Sequence, residues 1–280
     1  MTAAVALTVA GSDPSGGAGV QADLKTFSAL GAYGTAVLTA LTAQNTRGVT
    51  GVHAVPAGFV GEQLRTLLAD VPVHATKLGM LGTADVVREV AAVLAARPAG
   101  PVVCDPVMVA TSGDRLISDD AVEAVRTVLL PVTDLITPNV PEAAALLDVA
   151  PATTVEELVP QAQALLTLGP QAVLLKGGHL GGPESTDVLA TAAGVTLTRR
   201  PRVRTTATHG TGCTLSAAIA ALAARTRLAA PDEPTDEPTD WAPLVEGARD
   251  FLQEALLAGE SLGVGSGHGP VHHFAGWWPA

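Results

Sequence analysis

Cysteine is scarce in this 280-residue chain: it has two, Cys104 and Cys213. Two thiols cannot build a disulfide framework, and both stand in apolar or glycine-rich contexts that suit a reducing compartment, so the expected location is cytoplasmic. Basic residues are also in deficit, 16 Lys and Arg against 27 Asp and Glu for a net charge of −11. Nothing offers the basic footprint that binding to a phosphate backbone needs, which argues against a nucleic-acid partner. Five of the acids (Asp232, Glu233, Asp236, Glu237, Asp240) share one stretch without bases, which leaves −11 + 5 = −6 for the rest of the chain, ordinary for a soluble protein. Long apolar runs are missing as well. The longest, roughly 214–224, falls short of the ~18 residues a spanning helix needs, so no membrane segment is expected. The opening MTAAVALTVAGSD lacks a basic n-region and runs straight into a glycine loop. It reads as a first strand rather than a signal peptide.

What is present is a globular composition rich in turns, 48% hydrophobic with 29 Gly and 20 Pro. The length fits one large or two small domains. Short β-rich runs, AVALTVA (4–10), TAVLTALTA (35–43), ATKLGM (75–80), PVVCDPV (101–107), DLITPN (134–139) and AVLLKGG (172–178), alternate with amphipathic segments. That is the alternation of a parallel α/β sheet. Helix starts carry their own signals, such as Thr83 before ADVVREVAAVLAA and Thr154 with Glu157 as a capping box. From 186 to 204 the pattern changes to TDVLA and GVTLTRRPRVR, whose alternation predicts antiparallel strands at one edge and hence a mixed sheet. No linker interrupts residues 1–225. The acidic, Pro-rich stretch at about 229–240, with an internal DEPT repeat, reads as an exposed loop before a last helix from Trp241 to about Leu262.

Ligands bind at the carboxyl ends of the strands of a parallel sheet, so the residues just after each run carry the functional expectation. The first run is followed by a glycine-rich turn from Gly11 to Gly19, feeding a helix whose free N–H groups can receive an anion. A P-loop would end in Lys then Ser or Thr, where this chain has Val20 and Gln21. A dinucleotide fingerprint is matched by Gly17, Gly19 and Ala22, but no acid lies between Asp23 and Glu62 to hold the ribose. A bare strand-to-helix turn is the third reading. Against it stand Asp23, on the first turn of the helix, and Gln44 and Asn45 at the end of the second run, groups able to hold a small polar heterocycle.

The second glycine run, Thr208-His-Gly-Thr-Gly-Cys213, opens an apolar helix. Its consecutive N–H groups form a ready hole for a phosphate, and the same helix dipole is expected to lower the pKa of Cys213. Three further strand ends add Asp105, then Asn139 with Glu142, then Lys176. Asp105 and Glu142 are hard oxygen ligands for Mg²⁺, direct or through water, and Lys176 can neutralise a polyphosphate. Each alone reads equally well as a turn residue, a first-turn helix acid or a surface charge. Together, beside an anion hole, they point to a metal-phosphate site. The tail Gly265 to His273 holds three of the seven histidines, but a His pair without further ligands at useful spacing reads as a strap docked by Val271, Phe274 and Trp277. Cys104 reads as core.

At these residues the sequence resembles the ribokinase-like superfamily, and more closely the bifunctional hydroxymethylpyrimidine/phosphomethylpyrimidine kinases of thiamine biosynthesis. The resemblance runs through 10–34, LTAQNTRGV (41–49), KLGML (77–81), DPVM (105–108), LITPNVPEAAALL (135–147), LLKGGHL (174–180), THGTGCTLSAAIAA (208–221) and GHGPVHH (267–273). Only the acidic stretch around 226–243 has no counterpart. The resemblance implies a single three-layer α/β/α domain, the use of ATP and Mg²⁺, and a homodimer. It implies that Gln44 hydrogen-bonds an aminopyrimidine with Gly11, Asp23, Met80 and Val107 near it. Asp105, Asn139 and Glu142 would organise Mg²⁺, Lys176, Asn139 and Thr208 would serve ATP, and Gly210, Thr211 and Gly212 would form the anion hole. Much of the superfamily places an Asp after that hole; Cys213 stands there in this chain, as in the pyrimidine kinase subgroup. Rival readings are a pyridoxal-type kinase on the same scaffold, a dinucleotide-dependent oxidoreductase and a catalytically silent vitamin-binding module.

Overall fold

The computed structural model describes residues 2–108, 117–230 and 239–278. Most of the acidic stretch expected as an exposed loop lies outside the described residues. The chain opens with β1 (Ala4–Ala10), α1 (Gly19–Ala29), β2 (Ala32–Leu38), β3 (Ala40–Asn45), β4 (Gly48–Ala54) and α2 (Ala57–Leu68). Next come β5 (Ala75–Leu78), α3 (Ala84–Ala96), β6 (Val102–Cys104), α4 (Asp119–Ala124), β7 (Leu135–Ile136), α5 (Val140–Leu147) and α6 (Val155–Leu166). β8 (Ala172–Lys176), β9 (Glu184–Thr191), β10 (Gly194–Pro201), α7 (Thr211–Ala229) and α8 (Trp241–Leu257) follow.

Eight strands form one sheet in the order β10-β9-β8-β7-β6-β5-β1-β2. β1, β2, β5, β6, β7 and β8 pair in parallel, and β9 and β10 add antiparallel at the edge. Apart from the edge strand β2, the parallel strands are almost wholly buried, which is why β1 reads as a run apolar at every position but Thr8 rather than an alternating one. One apolar cluster packs Leu64, Val90, Leu146 and Leu165 on one face, and a second packs Phe27, Ile219, Ala220 and Val245 on the other. The result is the expected three-layer α/β/α architecture with a mixed sheet. None of the described helices is long and apolar enough to cross a membrane.

Two boundaries depart from expectation. The run 35–43 is not one strand: Thr39 donates its N–H to the Ala10 carbonyl and its hydroxyl to the Met80 carbonyl (3.1 and 2.7 Å), so the chain leaves the sheet there. β3 then pairs with β4 in a separate two-stranded flap. The last helix ends at Leu257, and Gly259–Leu262 continues as a 3₁₀ turn.

Successive connections go from β1 to β2 on one side and to β5 and beyond on the other, so the strand order reverses at β1. Such a switch point opens a crevice at the carboxyl ends of the strands. Gly11 after β1, Gly79 and Met80 after β5, Asp105 after β6 and Asn139 after β7 all fall there.

Candidate active site

A cleft of about 880 Å³ runs along that edge of the sheet. The size suits one or two small-molecule ligands. Gly11, Gln44, Met80 and Val107 line one end, and Asp105, Asn139, Glu142, Lys176, Thr208 and the Gly210–Cys213 turn line its middle. Of the residues singled out for ligand binding, Asp23 and Asn45 are not on its wall; Asn45 is exposed at the end of β3, where its Oδ1 accepts the Arg47 N–H.

The ring end is built by close backbone approach. A Cβ on Gly11 would fall 2.5 Å from Met80 Cε, so the glycine brings the end of β1 against the methionine methyl, which a larger residue would push aside. Gln44 sits at a bulge in β3, and its Oε1 accepts the Thr42 hydroxyl at 3.1 Å. The Thr42 hydroxyl also donates to the Ser12 carbonyl (2.9 Å), which anchors the flap to the loop after β1.

The turn expected to form the anion hole is the N-terminus of α7. Gly210 adopts φ 79°, and a Cβ there would lie 1.8 Å from the Gly17 carbonyl oxygen, so both conformation and space demand glycine. The helix behind it is buried from Thr214 to Ala221, and its partial positive charge converges on the turn at Thr211 to Cys213. Burial pushes the Cys213 thiol up to about 11, although the Lys77 ammonium pulls the other way. The expected lowering by the helix dipole is therefore overturned: loss of water around the sulfur outweighs the dipole. At neutral pH the thiol is uncharged.

Opposite the hole, Lys176 donates to Asp105 Oδ1 at 2.8 Å, and the Thr137 hydroxyl donates to the same oxygen at 3.2 Å. Burial works against the Lys176 charge, but Asp105 and Glu142 outweigh it and hold the ammonium above its ordinary range. Asn139 and Glu142 form a capping box on α5, each side chain accepting the other's backbone N–H. Burial, reinforced by the neighbouring Asp105, pushes Glu142 up to about 7 despite Lys176. Thr208 lies 3.5 Å from His268 Nδ1 in the tail.

Asp23 needs correction. With α1 beginning at Gly19 it falls in the second turn, and its carboxylate points beneath the cleft, fully buried. There it accepts Lys77 Nζ at 2.8 and 3.0 Å and the Thr8 hydroxyl at 2.6 Å. Burial alone would discharge Lys77; the Asp23 carboxylate outweighs it and keeps the ammonium charged. Lys77 lines the cleft and carries no role that the sequence alone assigns. Asp13 and His209, also on the wall and also unassigned, pair at 2.7 Å. In the tail, Val271 is fully buried and Phe274 half-buried, but Trp277 is 71% exposed and does not dock. His273 takes its place in the strap, fully engaged with the Thr214 hydroxyl at 3.0 Å. Cys104 is core.

Comparison with known proteins places this geometry. The phosphomethylpyrimidine kinase family profile matches residues 13–272. A hydroxymethylpyrimidine/phosphomethylpyrimidine kinase of Escherichia coli is 52% identical over 98% of each chain. Among solved structures, a Bacillus subtilis pyridoxal kinase in complex with ADP superposes with a TM-score of 0.86 at 32% identity, covering 98% of each chain. A phosphomethylpyrimidine kinase from Clostridium difficile gives 0.75 at 35% identity, covering 90% of this chain and 98% of its own. On the family match and the identity across nearly its whole length, the chain belongs to the phosphomethylpyrimidine kinase family.

Proposed function

We propose that this chain, as one kinase domain over residues 1–280, transfers the γ-phosphoryl of ATP to 4-amino-5-hydroxymethyl-2-methylpyrimidine. It then phosphorylates the resulting monophosphate to the diphosphate, two steps of thiamine biosynthesis. The observation that carries this reading is the placement of the Asp105–Lys176 pair directly against Gly212 of the anion hole, in one cleft with Gln44 at its ring end. The amide of Gln44 offers donor and acceptor together to an aminopyrimidine edge. Gly11, Met80 and Val107 wall the ring, and Asp23 acts from below through Lys77.

Phosphoryl transfer asks chiefly for alignment and charge neutralisation. Gly210, Thr211 and Gly212 present N–H groups to the transferred group, Lys176 neutralises the nucleotide phosphates, and Asn139 and Thr208 border them. The donor set suits Mg²⁺: Asp105 and Glu142 are two buried carboxylates, hard oxygen donors, in the same part of the cleft, with Lys176 the ammonium paired to Asp105. Bound there with nucleotide, Mg²⁺ supplies charge neutralisation of the phosphates. In the first step Cys213 as thiolate accepts the hydroxymethyl proton. In the second the incoming phosphate is already largely dianionic, its second pKa being about 6. It needs no base, and a neutral thiol leaves the hole uncharged for it.

A second reading, pyridoxal kinase, is favoured by the higher TM-score of the pyridoxal kinase structure, while sequence identity favours the pyrimidine. Mass identification of products from hydroxymethylpyrimidine, its monophosphate and pyridoxal, each with ATP and Mg²⁺, separates the two. Sequential mono- and diphosphate supports the pyrimidine reading, and turnover of pyridoxal alone overturns it. The cytoplasmic assignment is supported by two unpaired cysteines. A homodimer is supported by the free edge strand β2 with exposed Tyr33, next to a flap exposing Leu41 and Val52. Light scattering tests it.

A further inference from the structure

The two glycine loops of the cleft interlock through a buried pair that no step above uses. Asp13 is 1% and His209 7% exposed, yet both reach the cleft wall. Asp13 Oδ1 accepts the Ser15 N–H and hydroxyl (2.9 and 2.7 Å), and Oδ2 accepts the Ala18 N–H (2.8 Å) and faces His209 Nε2 at 2.7 Å. These donors hold Asp13 below the usual carboxylate range against the burial that would raise it. An ionised acceptor fixes the proton on His209 Nε2. The backbone of His209 is tied separately, its N–H donating to the Gly269 carbonyl at 3.0 Å. A Cβ on Gly17 would lie 2.3 Å from His209 Cδ2, so the first loop packs directly on the imidazole.

Each partner ends on an element of the cleft. From Asp13, the Ala18 N–H leads into α1, whose Val20 N–H donates to the Gly11 carbonyl (3.0 Å) at the ring end. From His209, the chain passes at once into Gly210 and the anion hole. We propose that Asp13 and His209 are positioning residues for phosphoryl transfer, joining the ring-side loop to the anion hole so that the substrate hydroxymethyl group, Cys213 and the hole stay aligned. The proposal rests on the kinase reading above. It adds that alignment resides in a side-chain pair rather than in the glycines alone, and that breaking the pair costs turnover more than affinity.

The test compares His209→Leu, which removes the donor, with His209→Gln, which keeps an N–H donor of similar reach, and with Asp13→Asn, all in the full chain. Wild type first identifies which ring alcohol is phosphorylated, and the variants are measured on that substrate, so a wrong substrate assignment and a wrong positioning role give different results. Expected is a loss of about 100-fold in kcat for His209→Leu and Asp13→Asn, the scale of a 1 Å misalignment. Calorimetric affinities for the ring substrate and for a non-hydrolysable ATP analogue should stay close to wild type, and His209→Gln should recover most of kcat. Alkylation of Cys213 by iodoacetamide, followed by peptide mapping, reads the same pair without turnover: loosening the turn that runs from His209 to Cys213 should speed it several-fold in His209→Leu and not in His209→Gln. Unchanged kcat, a loss confined to KM and ring affinity, failure of Gln to rescue, or an unchanged alkylation rate each overturns the proposal. Asp13→Asn keeps the test open if His209→Leu does not fold.

Discussion

Lys176 and Asp105 meet at 2.8 Å across the strand ends of β8 and β6, and Gly212 of the anion hole lies against both. A Cβ on Gly212 would stand 3.3 Å from Lys176 Nζ and 3.3 Å from Asp105 Oδ2. On the proposed reading the ammonium stands where charge develops on the transferred phosphoryl group, and the carboxylate beside it keeps it charged. Lys176→Met should lower kcat about 10²- to 10³-fold in both phosphorylation steps, the scale of losing one preorganised donor. Steady-state kinetics on each pyrimidine substrate checks this. A loss of less than tenfold would remove Lys176 from the transition state.

The Asp23–Lys77 pair has no solvent on either side chain. Removing one partner leaves the other charge buried and unpaired, and Asp23→Asn should destabilise the fold by about 3–5 kcal/mol. Replacing both, Asp23→Leu with Lys77→Met, should restore most of that stability, since an apolar pair of similar volume carries no desolvation cost. Urea midpoints at equal m-value measure both. A double variant as unstable as the single would show that the pair contributes more than mutual neutralisation.

His273 ties the tail to α7 through Thr214, and burial depresses its pKa to about 3. An imidazole whose folded pKa lies below its unfolded value of about 6.5 binds fewer protons when folded, so stability rises with pH. This contribution is present above pH ~6.5 and is lost as pH falls toward 3. Wild type should therefore lose several kcal/mol over that interval beyond what its carboxylates account for. His273→Gln, which keeps a group able to bond Thr214, should flatten the melting temperature profile between pH 6.5 and 5. Parallel profiles for the two proteins would assign the acid sensitivity elsewhere.

The inner parallel strands were legible because burial on both faces makes them short apolar runs, and the starts of α3 and α6 because Thr83 and Thr154 cap locally. Residues of the anion hole announced themselves for the same reason, as contiguous chain. The split at Thr39 did not, since it is set by bonds to Ala10 and Met80 that no local pattern contains. Lys77 and His209 stayed hidden likewise. Their partners, Asp23 and Asp13, lie 54 and 196 residues away in the sequence. For Cys213 the dipole could be read from the helix that follows it, but the burial that outweighs the dipole comes from loops remote in sequence.

That burial leads to a prediction about the order of the two steps. With its pKa raised to about 11, the Cys213 thiol is neutral at pH 7, and its thiolate fraction grows tenfold per pH unit below that value. The first phosphorylation, which must remove a hydroxyl proton, should accelerate with pH across 7 to 9, while the second, on a phosphate already ionised, should stay nearly flat. Cys213→Asp replaces the neutral thiol with a carboxylate facing the hole. A fixed negative charge there assists proton removal in the first step and repels the incoming monophosphate in the second. The variant should therefore lose far more of the second activity than of the first, and the two rates are separable by supplying the alcohol or its monophosphate as the starting substrate. Equal losses, or selective loss of the first, would mean that the charge of residue 213 does not govern the choice between the two nucleophiles.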